Sequence, residues 1–103
     1  MKIVGVSACP TGIAHTYMAQ EAIEKECKKR GFDVKIETQG SIGIENELTQ
    51  EEIDEADVVI LAVSITIEGL ERFEGKKIYY ADVNECISNT TEVIDKAIEF
   101  SRG

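Results

Sequence analysis

KIVGVSACPTGIAHT, residues 2–16, decides the fold. Residues 2–8 form a short apolar run, the pattern of a buried strand. The run meets a Cys-Pro-Thr-Gly turn, and from Ile13 to Arg30 the pattern becomes helical. Ala19, Ala22, Ile23, Cys27 and Arg30 recur at spacings of three and four, with Glu21, Glu24, Lys25, Lys28 and Lys29 between them. Gly31 supplies the stop. A strand that runs into a helix through a glycine-containing turn leaves the first helical N–H groups unpaired. The helix dipole adds roughly half a positive charge at the same place. Together they cradle an anion, typically phosphate. Gly12 permits close backbone approach, and Thr11 and Thr16 offer hydroxyl donors. The same field stabilises a thiolate, so Cys9 is expected to have a lowered pKa and to be nucleophilic.

Outward from this junction, strands and helices alternate. Residues 33–38, DVKIET, alternate polar and apolar, as a half-buried or edge strand does. Thr49-Gln50-Glu51-Glu52 is a capping box that opens a short helix ending near Ala56. Residues 58–63, VVILAV, are apolar throughout, the mark of a strand covered on both faces. Glu68 to Phe73 reads as a helical turn that packs Leu70 and Phe73, and Lys77 to Ala81 as a fourth strand. Asn89-Thr90-Thr91-Glu92 caps a last helix with Val93, Ile94, Ala97 and Ile98 on one face. Right-handed crossovers then imply one α/β domain over residues 1–103. Its expected architecture is a three-layer α/β/α fold with a four-stranded parallel sheet of order 2-1-3-4. Ligands of such sheets bind beyond the carboxyl ends of the strands, beside the first strand, where the Cys9 loop lies.

Composition narrows the function. Twenty acids against eleven bases leave a net charge of −9, which argues against nucleic acid and against adsorption on anionic lipid. No apolar run reaches the roughly 18 residues a membrane span needs, and no signal-peptide pattern stands at the start, so a cytoplasmic protein is expected. Cys9, Cys27 and Cys86 are widely spaced and His15 is the single imidazole, a pattern that fits neither a disulfide framework nor a zinc site. Cys27 falls on the apolar stripe of the first helix and Cys86 beside Ile87, so both read as core.

Cys9 admits two readings, a buried structural thiol or a nucleophile, and its place between a strand and a glycine turn favours the second. His15 is either a solvent-facing residue of the first helical turn or a phosphate contact or proton handler. Cysteine phosphatases use C-x5-R-[ST], where arginine clamps the phosphate bidentately. Here five residues follow Cys9, then His15 and Thr16, so cysteine and hydroxyl are present and arginine is absent. Such a loop holds a phosphoryl group on sulfur with less help in releasing it to water, which describes a carrier better than a hydrolase. The alternatives are a low-molecular-weight cysteine phosphatase and a flavodoxin-like anion or FMN module. The second lacks tryptophan, and Tyr79 and Tyr80 fall inside a strand.

ACPTGIAHTYMA (residues 8–19), ETQGSIGIENELT (37–49) and ERFEGKKIY (71–79) closely resemble the fructose-specific IIB component of the bacterial sugar phosphotransferase system. The resemblance runs from about Ile3 to Ile98. It implies a phosphotransferase that accepts a phosphoryl group on Cys9 from a phosphohistidine of the IIA component. The group then passes to a sugar, fructose or a relative, held by the membrane IIC component, with the domain at the inner face of the membrane. It implies Pro10, Thr11, Gly12, Ile13, Ala14, His15 and Thr16 as the phosphate loop. Beyond the phosphocysteine it implies no metal or other cofactor. Gln39, Gly40 and Ser41 follow the second strand at the carboxyl edge and are expected neighbours of the site. Ser64 joins them, at a position where the family commonly carries aspartate.

Overall fold

The computed structural model describes residues 1–9, 13–40, 43–63 and 65–102. Strand β1 (Lys2–Ala8) is followed by helix α1 (Ile13–Lys29), β2 (Asp33–Gly40) and the short β3 (Gly43–Glu45). Then come α2 (Gln50–Glu55), β4 (Val58–Val63), a 3₁₀ turn at Leu70–Phe73, β5 (Ile78–Ala81), α3 (Val83–Ser88) and α4 (Thr90–Arg102).

The sheet order is β3-β2-β1-β4-β5. The strands β2, β1, β4 and β5 are mutually parallel, while β3 pairs antiparallel to β2. The expectation of four parallel strands is therefore corrected: the sheet is mixed and has five strands, with β3 outside β2. Three residues, all exposed, are too few to show a period-2 signal, which is why β3 is silent in the sequence. Helix α3 was also unforeseen. Its six residues are too few for a 3.6-residue pattern to declare itself, although it buries Val83 and Cys86.

Alternation along the strands splits the core into two layers. Ile3, Ile36, Val58, Ile60 and Ala62 face α1, α3 and α4, where Ile23, Cys27, Cys86, Val93 and Ile94 meet them. Val4, Val6, Ala8, Val59 and Leu61 face Ile53 of α2 and Phe73 of the 3₁₀ turn. Leu70, expected to pack with Phe73, is instead 42% exposed. Helix α1 ends as its Gly31 signal implies. Gly31 has φ 78, its N–H donates to the Lys28 carbonyl, and the Phe32 N–H reaches back to Cys27. The Thr49 capping box also forms, with the Thr49 hydroxyl accepting from the Glu52 N–H and the Glu52 carboxylate from the Thr49 N–H.

The polar face of β2 is not a solvent face. Lys35, Glu37 and Gln39 point to the α2 layer, and each is paired there. Lys35 Nζ donates to Glu52 at 2.8 and 2.9 Å. Glu37 has no exposure at all. Its Oε1 accepts from Arg72 Nη1 and the Leu48 N–H, both at 2.8 Å. Its Oε2 accepts from Arg72 Nη2 at 2.9 Å and Gln39 Nε2 at 2.7 Å. Burial alone raises the pKa of a carboxyl; here the bidentate guanidinium, the Gln39 amide and the Leu48 N–H outweigh it and hold Glu37 below the ordinary carboxylate value. Glu52, bonded to Lys35 and to the Thr49 N–H, is lowered to about 2.

Two outcomes follow. A Cβ on Gly5 falls 2.3 Å from the Ile60 carbonyl oxygen and 3.2 Å from Ile36 Cδ1. Gly5→Ala is expected to cost roughly 1–3 kcal/mol of stability in a denaturant titration, and an unchanged midpoint contradicts this packing. Glu37 and Glu52 both titrate lower when folded than the roughly 4.3 of a free glutamate. The stabilisation from Glu52 is thus complete above about pH 5 and is lost as pH falls toward 2, and that from Glu37 is lost in the same direction. Glu52→Gln should be less stable than wild type at pH 7, and the difference should shrink as pH falls from about 5 toward 2. A deficit that stays constant over that range contradicts the Lys35 pairing.

Candidate functional site

The chain reaches the functional edge through the last residues of β1. Thr38 pairs with Ser7 and Val63 with Ala8, so Cys9 emerges between the ends of β2 and β4. Both of these neighbours run parallel to β1, and their carboxyl ends meet at this edge. Helix α1 begins four positions later, at Ile13. Cys9 thus follows a strand and precedes the N-terminus of a 17-residue helix, the position in an open α/β sheet where anions bind. Pro10, Thr11 and Gly12 lie outside the described residues, as do Ser41 and Ser64.

Two devices hold the end of β1. On the α1 side, the buried Ser7 hydroxyl donates to the Thr16 carbonyl at 2.8 Å and pins the first turn of α1 to the strand. On the α2 side, Gln39 carries a two-way amide contact. Its Oε1 accepts from the Glu68 N–H at 2.8 Å and its Nε2 donates to the Glu68 carbonyl at 2.9 Å. Since β1 lies between β2 and β4, this contact ties the end of β2 to the segment after β4. Arg72 completes it, donating from Nε to the Gly69 carbonyl at 2.8 Å and from Nη1 to the Leu48 carbonyl at 3.1 Å. The Gln39 amide is therefore committed to protein partners. Gly40 is exposed at the strand's end.

The three thiols differ sharply. Cys27 and Cys86 are fully buried, and burial pushes them up to about 11 and about 12. Cys9 is only partly buried, packed against the α1 layer. In the first turn of α1, Ala14 and His15 are exposed and Thr16 is buried. Tyr17 crosses from α1 to β3, its hydroxyl donating to the Glu45 carboxylate. Gln20 Nε2 and Asn46 Nδ2 both donate to the Ile36 carbonyl, at 3.1 and 3.0 Å, fixing α1 and the turn after β3 on β2.

Beside the end of β4 lies an open apolar groove of about 450 Å³, with Val63, Ile65, Ile67, Leu70 and Tyr80 in its wall. Ile65, Leu70 and Tyr80 are exposed there, Tyr80 by 62%. No helix among the described residues is long and apolar enough to cross a membrane.

The residues missed by sequence reasoning are Ser7, Glu37 and Arg72. A lone serine in an apolar strand and a glutamate in an alternating one look like tolerated exceptions. The signal lay in the blocks ETQG and ERFEG, which supply the carboxylate and the guanidinium of one ion pair 35 positions apart.

Comparison with known proteins agrees with this geometry. Residues 4–96 match the family described as the lactose/cellobiose-specific IIB subunit of the phosphotransferase system. The fructose-like IIB component 2 of Escherichia coli (strain K12) is 50% identical over 95 residues, 92% of this chain and 90% of that protein. The fructose-specific IIB'BC component of the same organism is 48% identical over 97 residues, 94% of this chain and 17% of that longer protein. A crystal structure of a domain from the fructose-specific IIABC component of Borrelia burgdorferi is 53% identical. It superposes with a TM-score of 0.89 over 95% of this chain and 93% of that domain. IIB components are phosphotransferases, and in some relatives they are joined to IIC, or to IIA and IIC, in one protein. The chain belongs to the IIB family of the sugar phosphotransferase system, alongside its fructose-type members.

Proposed function

We propose that this domain carries a phosphoryl group on Cys9 between a IIA phosphohistidine and a sugar, fructose or a close relative, held by a membrane IIC component. The observation that carries the assignment to Cys9 is the contrast among the three thiols. Cys27 and Cys86 are sealed in the core with raised pKa values, while Cys9 is accessible at the carboxyl edge of the sheet, just ahead of α1.

The chemistry is two in-line displacements. In the first, the Cys9 thiolate attacks phosphorus, the S–P bond forms, and the P–N bond to the IIA imidazole breaks. In the second, a sugar hydroxyl oxygen attacks the same phosphorus, its proton passes to a base, and the S–P bond breaks to regenerate the thiolate. Backbone amides of residues 11–16 and the α1 dipole hold the phosphoryl oxygens through both steps. The scheme takes no metal and no cofactor beyond the covalent phosphocysteine. The domain works on the cytoplasmic side, at the membrane through IIC. A partner that presents phosphohistidine to Cys9 approaches along the edge where Ile65, Leu70 and Tyr80 stand exposed, an apolar rim suited to a transient protein contact.

Two experiments test this. With phosphorylated IIA as donor, intact mass should show one phosphoryl group on the wild type and none on Cys9→Ser; acceptance by the variant at the wild-type rate refutes the assignment. His15 stands exposed in the first turn of α1, at the spacing where cysteine phosphatases place arginine. His15→Arg adds a bidentate clamp on phosphate and should shorten the phosphocysteine lifetime in water several-fold. A lifetime that is unchanged or longer contradicts the carrier-by-omission reading of that position.

A further inference from the structure

We infer that Gln39 is a positioning residue for phosphoryl transfer: its amide braces the Cys9 end of β1 against the segment after β4. The inference rests on the Cys9 carrier reading. Ala8 faces the α2 layer and Ser7 the α1 layer, so the two residues before Cys9 are held from opposite sides. Ser7 is bound to the first turn of α1. The other side is the brace, which spans β1 from Gln39 on β2 to the backbone of Glu68.

The orientation of the Gln39 amide is not free. Nε2 has two acceptors, a Glu37 carboxylate oxygen and the Glu68 carbonyl, and Oε1 has one donor, the Glu68 N–H. Glu37 is held in turn by both terminal nitrogens of Arg72, and Arg72 Nη2 also reaches the Glu68 carbonyl at 3.3 Å. An ordered relay thus runs from Arg72 through Glu37 and Gln39 to the backbone beside the site. Its members are bonded to one another and to the backbone of Leu48, Glu68 and Gly69. They fix where the β1 end lies relative to Glu68 and Gly69, and so where the sulfur stands for in-line attack. Displacements of about 1 Å at a reacting centre lower rates by as much as about 100-fold.

The brace uses only the backbone of Glu68, which separates positioning from mere stability. Gln39→Leu conserves volume and removes every hydrogen bond of the amide. With phosphorylated IIA as donor, the folded variant should transfer about 10- to 100-fold more slowly at saturating donor, with the half-saturating donor concentration within about twofold of wild type. Glu68→Ala keeps the backbone partners and should transfer at the wild-type rate. If Gln39→Leu fails to fold, Gln39→Asn, which keeps the amide but is one methylene short of Glu68, should show the same loss. A folded Gln39 variant that transfers at the wild-type rate, or whose loss lies wholly in the half-saturating concentration, overturns the inference and leaves the carrier reading standing. Full acceptance by Cys9→Ser overturns both.

Discussion

A carboxylate with no exposure to water must find donors for both oxygens, and in this domain that requirement organises the functional edge. Glu37 gathers Arg72, Gln39 and the Leu48 N–H around itself. By doing so it draws together three parts of the chain: the end of β2, the approach to α2, and the turn after β4. Buried ion pairs of this kind add little net stability over an apolar core, but breaking one by removing a single partner typically costs about 3–5 kcal/mol. Their value is to admit one arrangement and reject the rest. A loop that must present a nucleophile within tenths of an ångström has use for that selectivity.

The rest of the architecture follows from β1. It is flanked by parallel neighbours and covered on both faces, so its carboxyl end can deliver a side chain only at the edge of the sheet. Cys9 stands at that end and α1 begins just beyond it. The protein needs no elaborate cavity there. A phosphoryl carrier receives its group from one protein and passes it to a sugar held by another, so an accessible thiol beside an exposed apolar rim suits the task better than an enclosed pocket. Absence of an arginine at position 15 fits the same logic, because a clamp that favours attack by water shortens the life of the intermediate.

Much of this was legible in the residues. The β1 run, the Gly31 stop, the Thr49 capping box and the uninterrupted VVILAV strand each have a local physical cause, and each appears where that cause acts. The features that escaped are of two kinds. Elements such as β3 and α3 are too short to show a period. Pairings such as Glu37 with Arg72 and Gln39 with Glu68 join residues about 30 positions apart, and nothing local distinguishes a paired polar side chain from a solvated one. The alternation in DVKIET therefore suggested a wet face, when α2 and the 3₁₀ turn cover it. Leu70 failed in the opposite sense: an apolar residue beside Phe73 suggested packing, and it stands in the exposed rim instead.

The central claim is that the phosphoryl group travels on the sulfur of Cys9. Peptide mapping by mass spectrometry, after brief incubation with phosphorylated IIA and under conditions that preserve thiophosphate and phosphoramidate bonds, tests it most directly. The account predicts a single modification on Cys9, with His15 in the same peptide unmodified. Modification of His15, or of any residue other than Cys9 at comparable occupancy, contradicts it.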